Sequence, residues 1–120
     1  MMLPQEVEVW YILPAIRSAL CRELAGKLSQ KQIAALLGIT EPAVSQYIKG
    51  KRGNKVKFDD KIKSEIRLIA AKLANQETHP LAALNYLSKK ILATNVMCQL
   101  HMQLDKETPD NCRVCFEVIK

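Results

Sequence analysis

From about residue 14 to residue 104, apolar side chains return at helical intervals, and the residues between them are of the kinds that start and stop helices. Ile16, Leu20 and Leu24 recur every fourth residue, which stacks them on one face of a helix from Pro14 to about Lys27. Ser29 opens a second helix. Its hydroxyl can cap the helix while Gln32 reaches back to its N–H, the S-x-x-Q form of a capping box. Gly38 closes that helix, because glycine enters the left-handed conformation without a Cβ clash. Thr40 caps a third helix, Glu41 to Lys49, and Gly50 ends it. Asp59 and Asp60 place negative charge at the start of a fourth helix, whose Ile62, Ile66, Ile69 and Leu73 form an apolar stripe opposite Lys61, Lys63 and Arg67. Pro80 begins a fifth, expected to run to about Leu104. Along it Leu84, Leu87, Ile91, Thr94, Cys98 and His101 alternate steps of three and four as a heptad seam.

The ends of the chain are less regular. Val7, Val9 and Tyr11 alternate as in a strand, but a short helix over residues 3–12 is the preferred reading, with Pro14 expected to end it. Residues 105–120 read as a loop followed by a short strand or turn. The fold class is therefore all-α: a helix-turn-helix domain over residues 1–76, then a long C-terminal helix and a short Cys-containing tail over residues 77–120.

A length of 120 residues excludes a large multidomain enzyme, and 5% aromatic residues leave an aliphatic core of the sort helices build. The formal charge of +6 attracts polyanions, so double-stranded DNA leads as the partner class. No apolar run approaches a membrane span, and the N-terminal MMLPQEVEVW carries acids where a secretory signal carries cations. A cytoplasmic location is expected, with thiols that are free, metal-bound or redox-switching rather than structural disulfides.

The segment Ser29 to Ile48, SQKQIAALLGITEPAVSQYI, meets the steric demands of a helix-turn-helix. Ala34 is small where two helices cross, Gly38 takes the turn, Ile33, Leu37, Ile39 and Val44 fill the space between them, and Tyr47 or Ile48 anchors the second helix. That helix would enter the major groove and present Glu41, Pro42, Ser45, Gln46 and Lys49 to the bases, Gln46 pairing with adenine. Ser29 and Thr40 either cap helices or also bind phosphate. Lys49, Lys51, Arg52, Lys55 and Lys57, with no acid among them, form a basic exit expected to be mobile and to meet phosphates.

These residues resemble the Cro/lambda-repressor-like (XRE) helix-turn-helix family. LPAIRSALCREL before them and AVSQYIKGKRG after them are similar to a group of small archaeal transcriptional regulators, over about residues 3–57. The resemblance implies DNA-facing roles for Thr40, Glu41, Ser45 and Gln46, and marks Leu13, Pro14, Ile16 and Arg17 as a hallmark. Pro42 departs from the small or polar residue usual there. Some relatives carry a thiamine-phosphate synthase-like domain, for which this chain has no room.

Cys98-x-x-His101 and Cys112-x-x-Cys115 together supply four ligands suited to tetrahedral zinc, with an iron–sulfur cluster second and a dithiol–disulfide switch third. Cys21 reads as a core thiol, and His79 as a capping or surface residue. The Leu84, Leu87 and Ile91 seam fits either a homodimer contact or the chain's own core. The expected function is a dimeric, non-enzymatic transcriptional regulator whose tail senses metal or redox state. An antitoxin-like interaction protein and a thiol oxidoreductase using Cys112 and Cys115 are the alternatives.

Overall fold

In a computed structural model, which describes residues 3–53 and 56–94, the chain begins with a helical run that does not break where proline predicts a break. α1 (Pro4–Val7) passes through a π-helical turn (Glu8–Ile12) into α2 (Leu13–Leu24). Pro14 lacks an N–H and its ring crowds the carbonyl four residues back, which makes a plain α-helix through it costly. The π turn removes the conflict by widening the helix just ahead of Pro14, with the Leu13 N–H donating to the Glu8 carbonyl five residues back. Burial follows the widened period: Val7 and Ile12, five apart, are buried, whereas Val9 and Trp10 are 56% and 58% exposed. The strand alternative for residues 3–12 is thereby excluded.

The remaining helices are α3 (Gln30–Leu37), α4 (Glu41–Ile48), α5 (Asp60–Ala74) and α6 (Pro80–Leu92). Each starts on a side-chain cap. Ser29 and Gln32 form the reciprocal capping box, Asp59 Oδ1 accepts from the Ile62 N–H at 2.9 Å, and His79 Nδ1 accepts from the Leu81 N–H at 3.1 Å. α5 ends in a Schellman closure, the Glu77 N–H donating to the Lys72 carbonyl at 2.8 Å and the Gln76 N–H to that of Leu73 at 3.1 Å.

α2 is the central helix, packed against α4, α5 and α6. Its Ile16, Leu20 and Leu24 meet Ile33 of α3, Val44 of α4, the expected Ile62, Ile66, Ile69 and Leu73 of α5, and Leu87 and Ile91 of α6 in one aliphatic core. Ser88 Oγ donates to Glu8 Oε1 at 2.8 Å and joins α6 to the π turn.

Two expectations for the last helix change. It does not run on to residue 104: Ala93 caps it, and Thr94 turns with its Oγ1 donating to the Ile91 carbonyl at 2.6 Å. Of the two roles open to the seam, Leu87 and Ile91 take the intrachain one. Both are 0% exposed, so neither has surface left for a second copy, and Leu84 is half-buried against the same core. Cys98, His101, Cys112 and Cys115 lie outside the described residues.

Cys21 is buried in α2 as a core thiol, and burial pushes its pKa from 9.0 up to about 11. Unfolding returns the thiol to its ordinary value, so the folded chain holds this proton more tightly. The associated stability is intact below pH 9 and is lost as pH rises towards 11. Urea midpoints measured across that window are expected to fall more steeply for the wild type than for Cys21→Ala. Native protein at pH 8 should leave Cys21 unalkylated by iodoacetamide in peptide mass mapping.

Candidate nucleic-acid interface

The turn between α3 and α4 is built from backbone bonds that only a left-handed residue allows. Gly38 has φ 67°, and the N–H groups of Gly38 and Ile39 both donate to the Ala34 carbonyl, the latter at 3.0 Å. Ala34 is buried at the crossing, and Ile33, Leu37 and Val44 fill the space between the helices with Ile39 at its edge. Tyr47, rather than Ile48, is the buried anchor; Ile48 is half-buried.

With Ala43, Val44 and Tyr47 inward, α4 turns Glu41, Pro42, Gln46 and Lys49 outward and leaves Ser45 half-buried at the edge. Thr40 Oγ1 accepts from the Ala43 N–H and Ser29 Oγ from the Gln32 N–H, each at 3.2 Å. Both hydroxyls therefore serve as caps. The unusual Pro42 fits the first turn, where a missing N–H breaks no intrahelical bond. With Pro42 lacking an N–H and that of Ala43 engaged by Thr40, the helix N-terminus has fewer free backbone donors.

The basic exit is fastened at its start. α4 closes with the Lys51 N–H on the Gln46 carbonyl at 2.9 Å and the Gly50 N–H on that of Tyr47 at 3.1 Å, with Gly50 at φ 76°. The Arg52 guanidinium lies 5.8 Å from the centre of the Tyr47 ring. Gly53, at φ 67°, rests on α2: a Cβ there would collide with the Pro14 carbonyl oxygen and lie 2.9 Å from the Ser18 Cβ. Residues 50–53 are thus held against α2, where a mobile loop was expected. Lys51, Arg52 and Lys57 are exposed, and Lys55 lies outside the described residues.

Sequence reasoning missed Ser18. Buried in α2, its Oγ donates to the Tyr47 carbonyl at 3.2 Å, so the C-terminal end of α4 is tied to α2 by side chain as well as by Gly53. A lone serine on an otherwise apolar helix face was the available signal. The hallmark also gains a partial account: Ile16 is core, Leu13 packs at its edge, and Pro14 is the surface on which Gly53 rests. Arg17 keeps its Nε buried, and no hydrogen bond among the described residues explains it.

A family model described as Helix-turn-helix matches residues 19–53, from the middle of α2 to the glycine that rests on its start. The match covers this stretch alone, which is a helix-turn-helix similar to those of DNA-binding XRE-type proteins. No curated protein and no solved structure matches the chain. Among the described residues no helix is long and apolar enough to cross a membrane.

Gly53→Ala tests the fastening. It forces a left-handed residue to carry a Cβ and drives that carbon into backbone, an expected loss of about 2–4 kcal/mol in urea unfolding. Ser18→Ala removes one hydrogen bond from a carbonyl that still accepts from Gly50, so a loss of about 1 kcal/mol is expected.

Proposed function

We propose that this chain is a sequence-specific transcriptional regulator that binds operator DNA as a homodimer, with α4 in the major groove. One observation carries the reading: the only polar face of α4 holds Glu41, Gln46 and Lys49 with Ser45 beside them, while its opposite face is buried and tied to α2. Gln46 reads adenine N6 and N7, Ser45 and Glu41 reach neighbouring base edges, and Pro42 gives an apolar contact such as a thymine methyl. Lys49, Lys51, Arg52, Lys55 and Lys57 neutralise phosphates, with Ser29 and Thr40 donating from their hydroxyls.

A single eight-residue reading helix gives a small interface, whereas two copies read half-sites about one DNA turn apart. Since Leu87 and Ile91 serve the core, the second copy is assigned to the outer face of α5 and α6. Leu68 and Leu81 are 53% and 73% exposed, and Leu68 lines the groove between α5 and α6 with Tyr86. For the tail, the reading rests on ligand type and spacing alone: Cys98, His101, Cys112 and Cys115 hold one metal, zinc first and an iron–sulfur cluster second. Loss of that metal, by chelation or by oxidation of its thiolate ligands, alters the spacing of the two recognition helices.

Fluorescence anisotropy with duplexes selected from a random pool tests base reading. Gln46→Ala is expected to cost about 1–3 kcal/mol and to relax specificity at one position, whereas Lys51→Ala weakens all sequences alike and lowers the salt slope by about 1. Absence of any DNA retention at low salt would sink the proposal.

Sedimentation velocity is expected to give twice the chain mass, reverting to one in the Leu68→Glu, Leu81→Glu double variant. Anaerobically purified protein should contain one equivalent of colourless zinc, or show the visible bands of an iron–sulfur cluster. An operator affinity unchanged by chelation or oxidation removes the sensing role.

A further inference from the structure

α2, Gly53, residues 56–58 and α5 line an open groove of about 490 Å³. The apolar part of its lining is Ala15 and Ala19 of α2 with Val56, Phe58 and Ile66. The rest is charged. Arg22, Lys57, Lys63 and Arg67 stand against one acid, Glu23, whose Oε1 is 3.7 Å from the Arg67 Nε. The groove between α5 and α6 has no such bias, since Glu65 and Glu77 there oppose Lys72. Four cations and five apolar side chains lining one groove suit a ligand that carries both an anionic group and an apolar body. A DNA backbone offers the anion without the apolar body.

We infer that this groove binds a small phosphorylated ligand with an aromatic body, of the nucleoside phosphate class, and that its occupation opposes DNA binding. The second half rests on the DNA-reading function proposed above. Lys57 belongs both to the groove and to the phosphate-binding exit, so a bound anion neutralises a charge that DNA needs. Arg22 reaches the end of α4, its Nη2 lying 3.6 Å from where a Cβ on Gly50 would sit. Gly53 and Ser18, which fasten that end to α2, are also part of the lining. The ligand thus sits on the contacts that hold the recognition helix.

The test is a fluorescence titration of the full chain, without DNA, using N-methylanthraniloyl-ADP as the probe. Saturable binding is expected, displaced by ADP and not by adenosine. The Lys63→Ala, Arg67→Ala double variant should weaken it at least tenfold while leaving the fold intact, since both side chains are exposed. Ala19→Leu fills the apolar part of the groove without changing charge and should weaken the probe equally, with DNA affinity unchanged. ADP should then lower DNA affinity of the wild type but not of Ala19→Leu. No saturation up to about 1 mM, a dissociation free energy near 4 kcal/mol, overturns the inference. So does undiminished probe binding by Ala19→Leu, which would mean unspecific charge attraction. Loss of DNA affinity in the double variant without any probe binding would make the groove a DNA-phosphate surface and overturn it as well. Because the probe titration contains no DNA, it can fail or succeed independently of the DNA-reading proposal.

Discussion

The structure depends on one contact, the seating of residues 47–53 on the start of α2. An eight-residue helix is too short to be stable alone, so α4 has an orientation only because something outside it holds both its face and its end. The face is held by Ala43, Val44 and Tyr47 in the core. The end is held by the Ser18 hydroxyl on the Tyr47 carbonyl and by Gly53 lying directly on Pro14. Glycine at 53 is required twice over, by its left-handed backbone and by the absence of room for a Cβ.

That seat exists because of what happens one turn earlier. A proline inside a helix ordinarily removes a hydrogen bond and bends the axis, which would carry the Pro14 carbonyl away from Gly53. The π turn over Glu8–Ile12 absorbs the misfit, so helical backbone passes through Pro14 and α2 presents Pro14 and Ser18 on the side that faces the recognition helix. The same turn sets Val7 and Ile12 into the core and brings Glu8 to Ser88 of α6, so the reading head and the last described helix share one support.

Charge is distributed so that this support is neutral and its surroundings are not. The core around α2 is mostly aliphatic, and the Cys21 thiol within it is kept protonated by burial. Cations collect where the chain leaves α4 and along the neighbouring groove. Such a concentration of cations favours a polyanion at the exit from α4.

Much of this is local and can be read directly from the residues. The caps at Ser29, Thr40 and Asp59, the turn at Gly38 and the stripe of isoleucines on α5 depend on neighbours within a few positions, and the amino-acid sequence by itself determined them. The outward set on α4 follows too, because Ala43, Val44 and Tyr47 leave it a single polar face. Questions between distant elements were settled by packing alone. A heptad seam has the same spacing whether it meets a second chain or its own α2, and only packing assigned Leu87 and Ile91 to the core. A serine among apolar residues looks incidental until the Tyr47 carbonyl, twenty-nine residues away, is placed beside it. A proline predicts a break unless a wider turn precedes it, and a basic glycine loop looks mobile until a carbonyl lies where a Cβ would go. Periodicity and capping are properties of one helix, whereas steric fit is a property of two surfaces, and no single stretch of chain contains both.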